Sequence, residues 1–189
     1  MLLENDSLIT ERLILKVLDG RGAVSVQEYY LRNRDFLKNW EPWRAPEFYT
    51  LECQQRDLQN QREKINRGEL FKVWLFKKDD LALNKVIGLV SLNNITRGYF
   101  QSALIGYGLD QSEVNKGCIT EAARAVIAFA FEELKLHKLE ANIMPHNRAS
   151  LRVAEKLGFQ QEGMLCKYLQ INGSWQEHIR MVLNKEAVV

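Results

Sequence analysis

Residues 113 to 122, EVNKGCITEA, set a lysine and a glycine directly ahead of a run with helical spacing. A helix start leaves its first amide N–H groups without intrahelical partners and carries a partial positive charge, so its natural ligand is negatively charged oxygen. Gly117 would let such a ligand approach the main chain, Asn115 is a residue type that tolerates positive φ, and Lys116 adds a mobile cation. A phosphate or pyrophosphate suits that arrangement. On these ten residues alone the simpler reading is an ordinary helix start, with Asn115 as N-cap and Lys116 solvated.

Two familiar phosphate loops are missing. No GxxxxGK followed by Ser or Thr occurs, and GYGLDQ at 106–111 supplies only the first two glycines of GxGxxG, which argues against nucleotide hydrolysis and dinucleotide binding. Cys53, Cys118 and Cys166 lack the CxxC spacing of a metal site or redox pair, so no metal is expected and a reducing cytoplasm is the simplest compartment. Other side chains of reactive type are scattered: Glu41 between Trp40 and Pro42, His146 beside Asn147, Ser150, and His178 near the end. Each has a structural alternative. Glu41 can be a surface acid, Asn147 a helix N-cap, Ser150 a first-turn helix residue, and a lone histidine is more often structural than catalytic.

These groups need a scaffold, and the hydrophobic pattern predicts one. TERLILKVL reads as a strand, Ala23 to about Leu37 as helix in two pieces, and Pro42 and Pro46 prevent its continuation. A largely polar helix runs from about Leu51 to Arg67 and stops at Gly68. FKVWLF, KVIGLVSLNNI and SALIGYGL are three strands of an antiparallel meander. From Ile119 to Leu134 apolar residues recur at helical spacing; LEANIM follows as a strand, and RASLRVAEKL as a helix ended by Gly158. KYLQI and SWQEHIRMVL flank Asn172-Gly173, the pair favoured in a two-residue type I′ hairpin turn. The sum is a mixed α/β sheet with helices on its faces.

With 189 residues the chain fits one domain, expected over 1–189 with a core from about 8 to 185. It has 46% hydrophobic and 26% charged residues and a net charge of +2, so it reads as a soluble globule with no overall field for nucleic acid or membrane. MLLENDSLIT lacks a basic region followed by an apolar stretch and does not read as a secretory leader.

The order of elements, the Lys116-Gly117 turn opening the central helix, and NRASLRVAEKLGF followed by EG resemble the GNAT superfamily of acyl-CoA-dependent N-acetyltransferases. NRDFLKNWEPWR, NNITRGYF, LIGYGL, MPHNRASLRVAEKLGF and INGSWQEH further resemble the RimJ/RimL branch, nearest to the RimJ type of ribosomal-protein alanine N-acetyltransferase. The resemblance covers nearly the whole chain. It implies a mainly antiparallel sheet with a central parallel strand pair and helices on both faces.

It also implies acetyl-CoA as cosubstrate and direct attack by an amine in a ternary complex. The family's pyrophosphate turn, with Gln or Arg, then two residues, then Gly, falls on Val114 to Ile119, where Val114 lacks the usual polar side chain and Ile119 the usual small one. Backbone amides from Asn115 through Lys116, Gly117, Cys118 and Ile119 to Thr120 could still bind, because conformation rather than residue type supplies them. Tyr107, Gly108 and Leu109 would meet the pantetheine and the thioester oxygen. Asn147 would contact CoA, Ser150 would protonate the departing sulfur, and Glu41, partly buried among aromatics, would serve as base. His146 and His178 are runners-up, and Cys118 is read as packing. Trp40, Trp43, Phe48 and Tyr49 would wall an acceptor groove opposite Arg97. The implied partner is the N-terminal peptide of a ribosomal protein; ribosome association and a monomer or homodimer stay open, with no DNA or membrane. The alternatives are acetylation of a small-molecule amine and a non-catalytic CoA-binding or ribosome-assembly role.

Overall fold

The computed structural model describes residues 6–188. Part of the N-terminal stretch assessed as a leader, residues 1–5, lies outside them. Eight strands form one sheet in the order β1-β2-β3-β4-β5-β6-β8-β7. They are β1 (Ser7–Ile9), β2 (Leu13–Lys16), β3 (Phe71–Lys77), β4 (Gly88–Thr96), β5 (Ser102–Leu109), β6 (Lys138–Ile143), β7 (Gln160–Ile171) and β8 (Ser174–Asn184). The helices are α1 (Ala23–Leu37), α2 (Leu51–Asn66), α3 (Cys118–Glu132) and α4 (Arg148–Lys156).

Every neighbouring pair is antiparallel except β5 and β6, which run parallel on either side of the α3 crossover. That is the expected mixed sheet with its central parallel pair. Val90, Leu92, Ala103, Ile105, Leu139 and Ala141 turn one sheet face onto Ala122, Ala123, Val126, Ile127 and Ala130 of α3. The other face carries Trp74 and Phe76 against Ala23, Val26, Tyr29 and Tyr30 of α1 and Leu58 of α2. Alternation along the strands supplies both cores from one sheet.

Four elements depart from the sequence reading. The helix from Ala23 is continuous, with only a 3-10 turn at Gly20–Gly22 before it. Val86 and Ile87 are buried but precede β4, because the Ile87 amide donates to Leu75 while its carbonyl accepts from Asp110, an irregular pairing that regular pleating forbids. The last hairpin is much longer than KYLQI suggested: β7 starts at Gln160, and its exposed, irregular register with β8 hides the alternation that would have marked it. Of TERLILKVL only Leu13–Lys16 is strand, β2; its first residues form the turn from a further short strand, β1, which the sequence reading did not include. The Asn172-Gly173 turn has φ of 48° and 80°, as a type I′ turn requires.

β5 pairs with β6 only from Ser102 to Leu104. Beyond that point the two parallel strands part, and β5 runs on to Leu109 alone on that side.

Candidate active site

The gap between β5 and β6 presents main-chain groups. The Gly106 carbonyl is approached by Ser91 Oγ of β4, and the Gly108 carbonyl also points toward β4, close against Gly88. Because successive residues of a strand direct their N–H and C=O to opposite sides, the amides of Tyr107 and Leu109 face away from β4, into the gap. An extended ligand laid there can pair with β5 as a missing strand would.

Just beyond β5, Gly117 caps α3 in the left-handed conformation, φ 79°, and offers no side-chain cap. The first bond of the helix is from the Glu121 amide to the Gly117 carbonyl, so the amides of Cys118, Ile119 and Thr120 keep no helical acceptor. Asn115 is also at positive φ, 63°. A side chain at Gly117 would be strained twice, by its φ and by Arg12 Nη2, 3.3 Å from where a Cβ would stand.

Arg12 was not singled out from the sequence, and it holds this turn. Its Nη1 donates to the Lys116 carbonyl at 3.0 Å and its Nε pairs with Glu121 at 2.6 Å, while Thr10 and the Arg12 amide also bond Glu121. Lys116 is not a free cation. Its ammonium shares the buried Glu113 carboxylate with Lys77, at 3.2 and 3.0 Å, and these partners hold Glu113 below the usual carboxylate range against the opposing effect of burial. Two lysines on one glutamate leave the turn with one net positive charge.

A second group missed from sequence fixes how α1 meets the end of β5. Asp110 is buried and accepts from Arg32 Nε at 2.6 Å, from Asn33 Nδ2 at 3.2 Å, and from the Ser112 amide and hydroxyl. Burial alone would raise its pKa, but these donors bring it down to about 2. Asn33 Oδ1 also accepts from the Gln111 amide. The chain leaving β5 toward the Gly117 turn is thereby pinned to α1. Seventy-eight residues separate Arg32 from Asp110, and no local pattern marks so distant a pair.

Across the gap, the Tyr107 hydroxyl donates to the Ser150 carbonyl at 2.9 Å and is kept protonated by burial. Ser150 lies in the first turn of α4, and its amide donates to Asn147 Oδ1 at 3.1 Å, so Asn147 is that helix's N-cap. Ser150 Oγ makes no hydrogen bond with another described residue, which leaves the hydroxyl available. Cys118 is buried in the larger core, as packing requires.

The remaining residues are placed differently. Glu41 is not an isolated acid among aromatics: Arg44 pairs with it at 3.0 Å, and that guanidinium lies over the Tyr30 and Phe48 rings at 5.5 and 4.1 Å. A counter-ion stands where an apolar surround was expected. Phe48 and Tyr49 pack with Tyr30 in the smaller core, Trp43 is exposed, and Trp40 lies against His146 at 5.6 Å. Arg97 donates instead to the Leu134 carbonyl, at the end of β5 away from Leu109. His178 is buried beside Tyr168, and burial pulls its pKa below the usual imidazole value, favouring the neutral ring. Asn172, at the tip of the last hairpin, donates to the Lys38 carbonyl at 2.5 Å and bridges the hairpin to the loop after α1.

A parallel pair thus parts beside a helix whose first amides keep no helical acceptor. Residues 12–160 match the acetyltransferase (GNAT) domain model. The chain belongs to the GNAT acetyltransferase family. It is 40% identical to the probable N-acetyltransferase YjcK of Bacillus subtilis, over 91% of this chain and 92% of that one. It is 34% identical to the ribosomal protein uS5 alanine N-acetyltransferase of Escherichia coli, over 93% and 89%. The solved ribosomal-protein-S5-alanine acetyltransferase of Vibrio fischeri superimposes with a TM-score of 0.89 at 33% identity, over 95% of this chain and 97% of that one. Within the GNAT family these relatives support assignment to the RimJ/RimL type. Among the described residues, no helix is long and apolar enough to cross a membrane.

Proposed function

We propose that this GNAT acetyltransferase transfers the acetyl group of acetyl-CoA to the N-terminal α-amine of a ribosomal protein, with alanine as the receiving residue. The observation that carries the reading is two sets of unpaired main-chain donors, Tyr107 and Leu109 on β5, and Cys118, Ile119 and Thr120 at the start of α3. A pantetheine arm ending in a diphosphate needs such a track: amide partners along its length and a positive, uncapped helix start at its end. The names of the uS5 and S5 alanine acetyltransferases among the relatives support the acceptor.

Acetyl-CoA supplies an activated thioester. The Asn115 to Thr120 turn, held by Arg12, grips the diphosphate, and the strand amides direct the thioester carbonyl oxygen toward a donor. The amine forms the new C–N bond as the C–S bond breaks. Ser150 Oγ supplies a proton to the departing sulfur and regains one from solvent, and Asn147 shapes the helix turn that presents it. An α-amine has a pKa of about 7.7–8.0, so much of it is already neutral near pH 7 and a strong base is unnecessary. Glu41, although paired with Arg44, is the carboxylate assigned to take the proton that the amine loses.

Incubation with acetyl-CoA and a pool of N-terminal peptides, followed by mass spectrometry, tests the reading. Acetylated products concentrated among peptides beginning with Ala are expected. Turnover of free small amines with none of any peptide would overturn the protein acceptor, and CoA binding without turnover of any amine would indicate a non-catalytic role.

A further inference from the structure

On the α1–α2 side of the sheet a polar path leads away from β5. A Cβ on Gly106 would stand 3.4 Å from Ser91 Oγ and 3.7 Å from Asn93 Nδ2, and Asn93 donates to Ser91 at 2.9 Å. Register continues the row, Gly106 opposite Ser91 and Ser91 opposite Lys72, so all three share one face. The path opens into a cavity of about 560 Å³ under α2, whose lining includes Asp57, Asn60 and Gln61 of α2, Lys72, Asn93 and Asn94. Side-chain amides offer both donors and acceptors, the complement of a peptide backbone.

Lys72 is the unexplained group in this cavity. Its ammonium lies over the Trp74 ring at 4.4 Å, half-buried, and no carboxylate among the described residues closes an ion pair with it. Arg44 and Glu41 approach from the loop before α2, and Asp57 from α2, but Glu41 is taken by Arg44. A partly desolvated ammonium with no carboxylate in ion-pair contact gains from a ligand that brings one. Two strand spacings, roughly 10 Å, separate Lys72 from Gly106, a span that about three extended residues cover.

We infer that this cavity holds the acceptor segment behind the reacting amine, and that Lys72 selects a carboxylate side chain within its first four residues. The inference rests on the peptide acceptor proposed above. Lys72 is thus a specificity residue on the acceptor side, remote from the thioester.

The test uses three sets of Ala-starting peptides with Glu, Gln or Lys at positions two, three or four. Binding in the presence of CoA is followed by calorimetry and turnover by mass spectrometry. The intact protein should favour Glu over Gln by about tenfold at one position. That ratio should fall to about one in Lys72→Met and persist in Lys72→Arg, with thermal melting confirming that each variant is folded. Because burial brings the Lys72 pKa down to about 8, the ratio should also shrink as pH rises through that value. No preference for Glu, or one undiminished in Lys72→Met, overturns the inference. Calorimetry keeps the two proposals apart: a Lys72-dependent preference in binding without turnover sinks the acetylation reading alone, and turnover without preference sinks only the role of Lys72.

Discussion

The two sides of β5 are built differently. On the α3 side the donor groups are main-chain amides, released by the parting of β5 from β6 and by an uncapped helix start. On the α1–α2 side the groups are side chains drawn from distant segments: Tyr29, Glu41, Arg44, Asp57, Lys72 and Ser91. A backbone site tolerates change in residue type, and the proposed diphosphate turn would thereby accept Val114 where the family pattern has Gln or Arg. A side-chain site does not, and there acceptor choice can diverge while the cosubstrate stays the same.

That contrast can be broken or sharpened by measurement. The largest effect is expected at Ser150, the one side chain on the α3 side given a chemical role. Ser150→Ala should lower kcat by roughly 10²–10³-fold with little change in KM for acetyl-CoA, by analogy with acid catalysis elsewhere. An unchanged kcat in steady-state assays would make that side wholly a backbone site.

Next comes Asp110, the hinge between the two sides. Asp110→Asn removes a charge-assisted partner of Arg32 and should cost on the order of 1.5–3 kcal/mol in denaturant unfolding. The sign with pH follows from its depressed pKa. The ionised carboxylate contributes fully above its ordinary value of 3.8, and that stability is lost as pH falls toward about 2. The acid limb of the wild-type profile should therefore be shallower in Asp110→Asn, and identical limbs would remove Asp110 from the account.

The smallest effect is expected at Val114. Val114→Arg places a side-chain donor beside the turn and should tighten acetyl-CoA binding only about two- to tenfold, the range of one added hydrogen bond. A gain of several hundredfold by calorimetry would mean that side-chain donors, not the amides, dominate binding at the turn.

Local signals were legible wherever a few adjacent residues decide the conformation. Asn172-Gly173 specified its hairpin turn, Gly158 ended α4, and the spacing of Ala123, Val126, Ile127 and Ala130 revealed α3. The Lys116-Gly117 start was legible for the same reason, since a left-handed cap and free amides are properties of one turn. Glu41 shows where such reading runs out. Its neighbours in sequence are aromatic, but Arg44 folds back onto its carboxylate, and a contact of that kind depends on where the following loop packs.

By itself, then, the sequence determined the periodicities, the turns and the open helix start, because each arises from backbone preferences over a few residues. Only the tertiary structure decided that Arg12 would clasp the Lys116 carbonyl, that Asp110 would meet Arg32 and Asn33, and that Lys72 would line an open cavity with no described carboxylate in ion-pair contact. Those contacts join residues far apart along the chain, and their energies depend on burial and distance, quantities that exist only once the sheet has assembled and its central strands have separated.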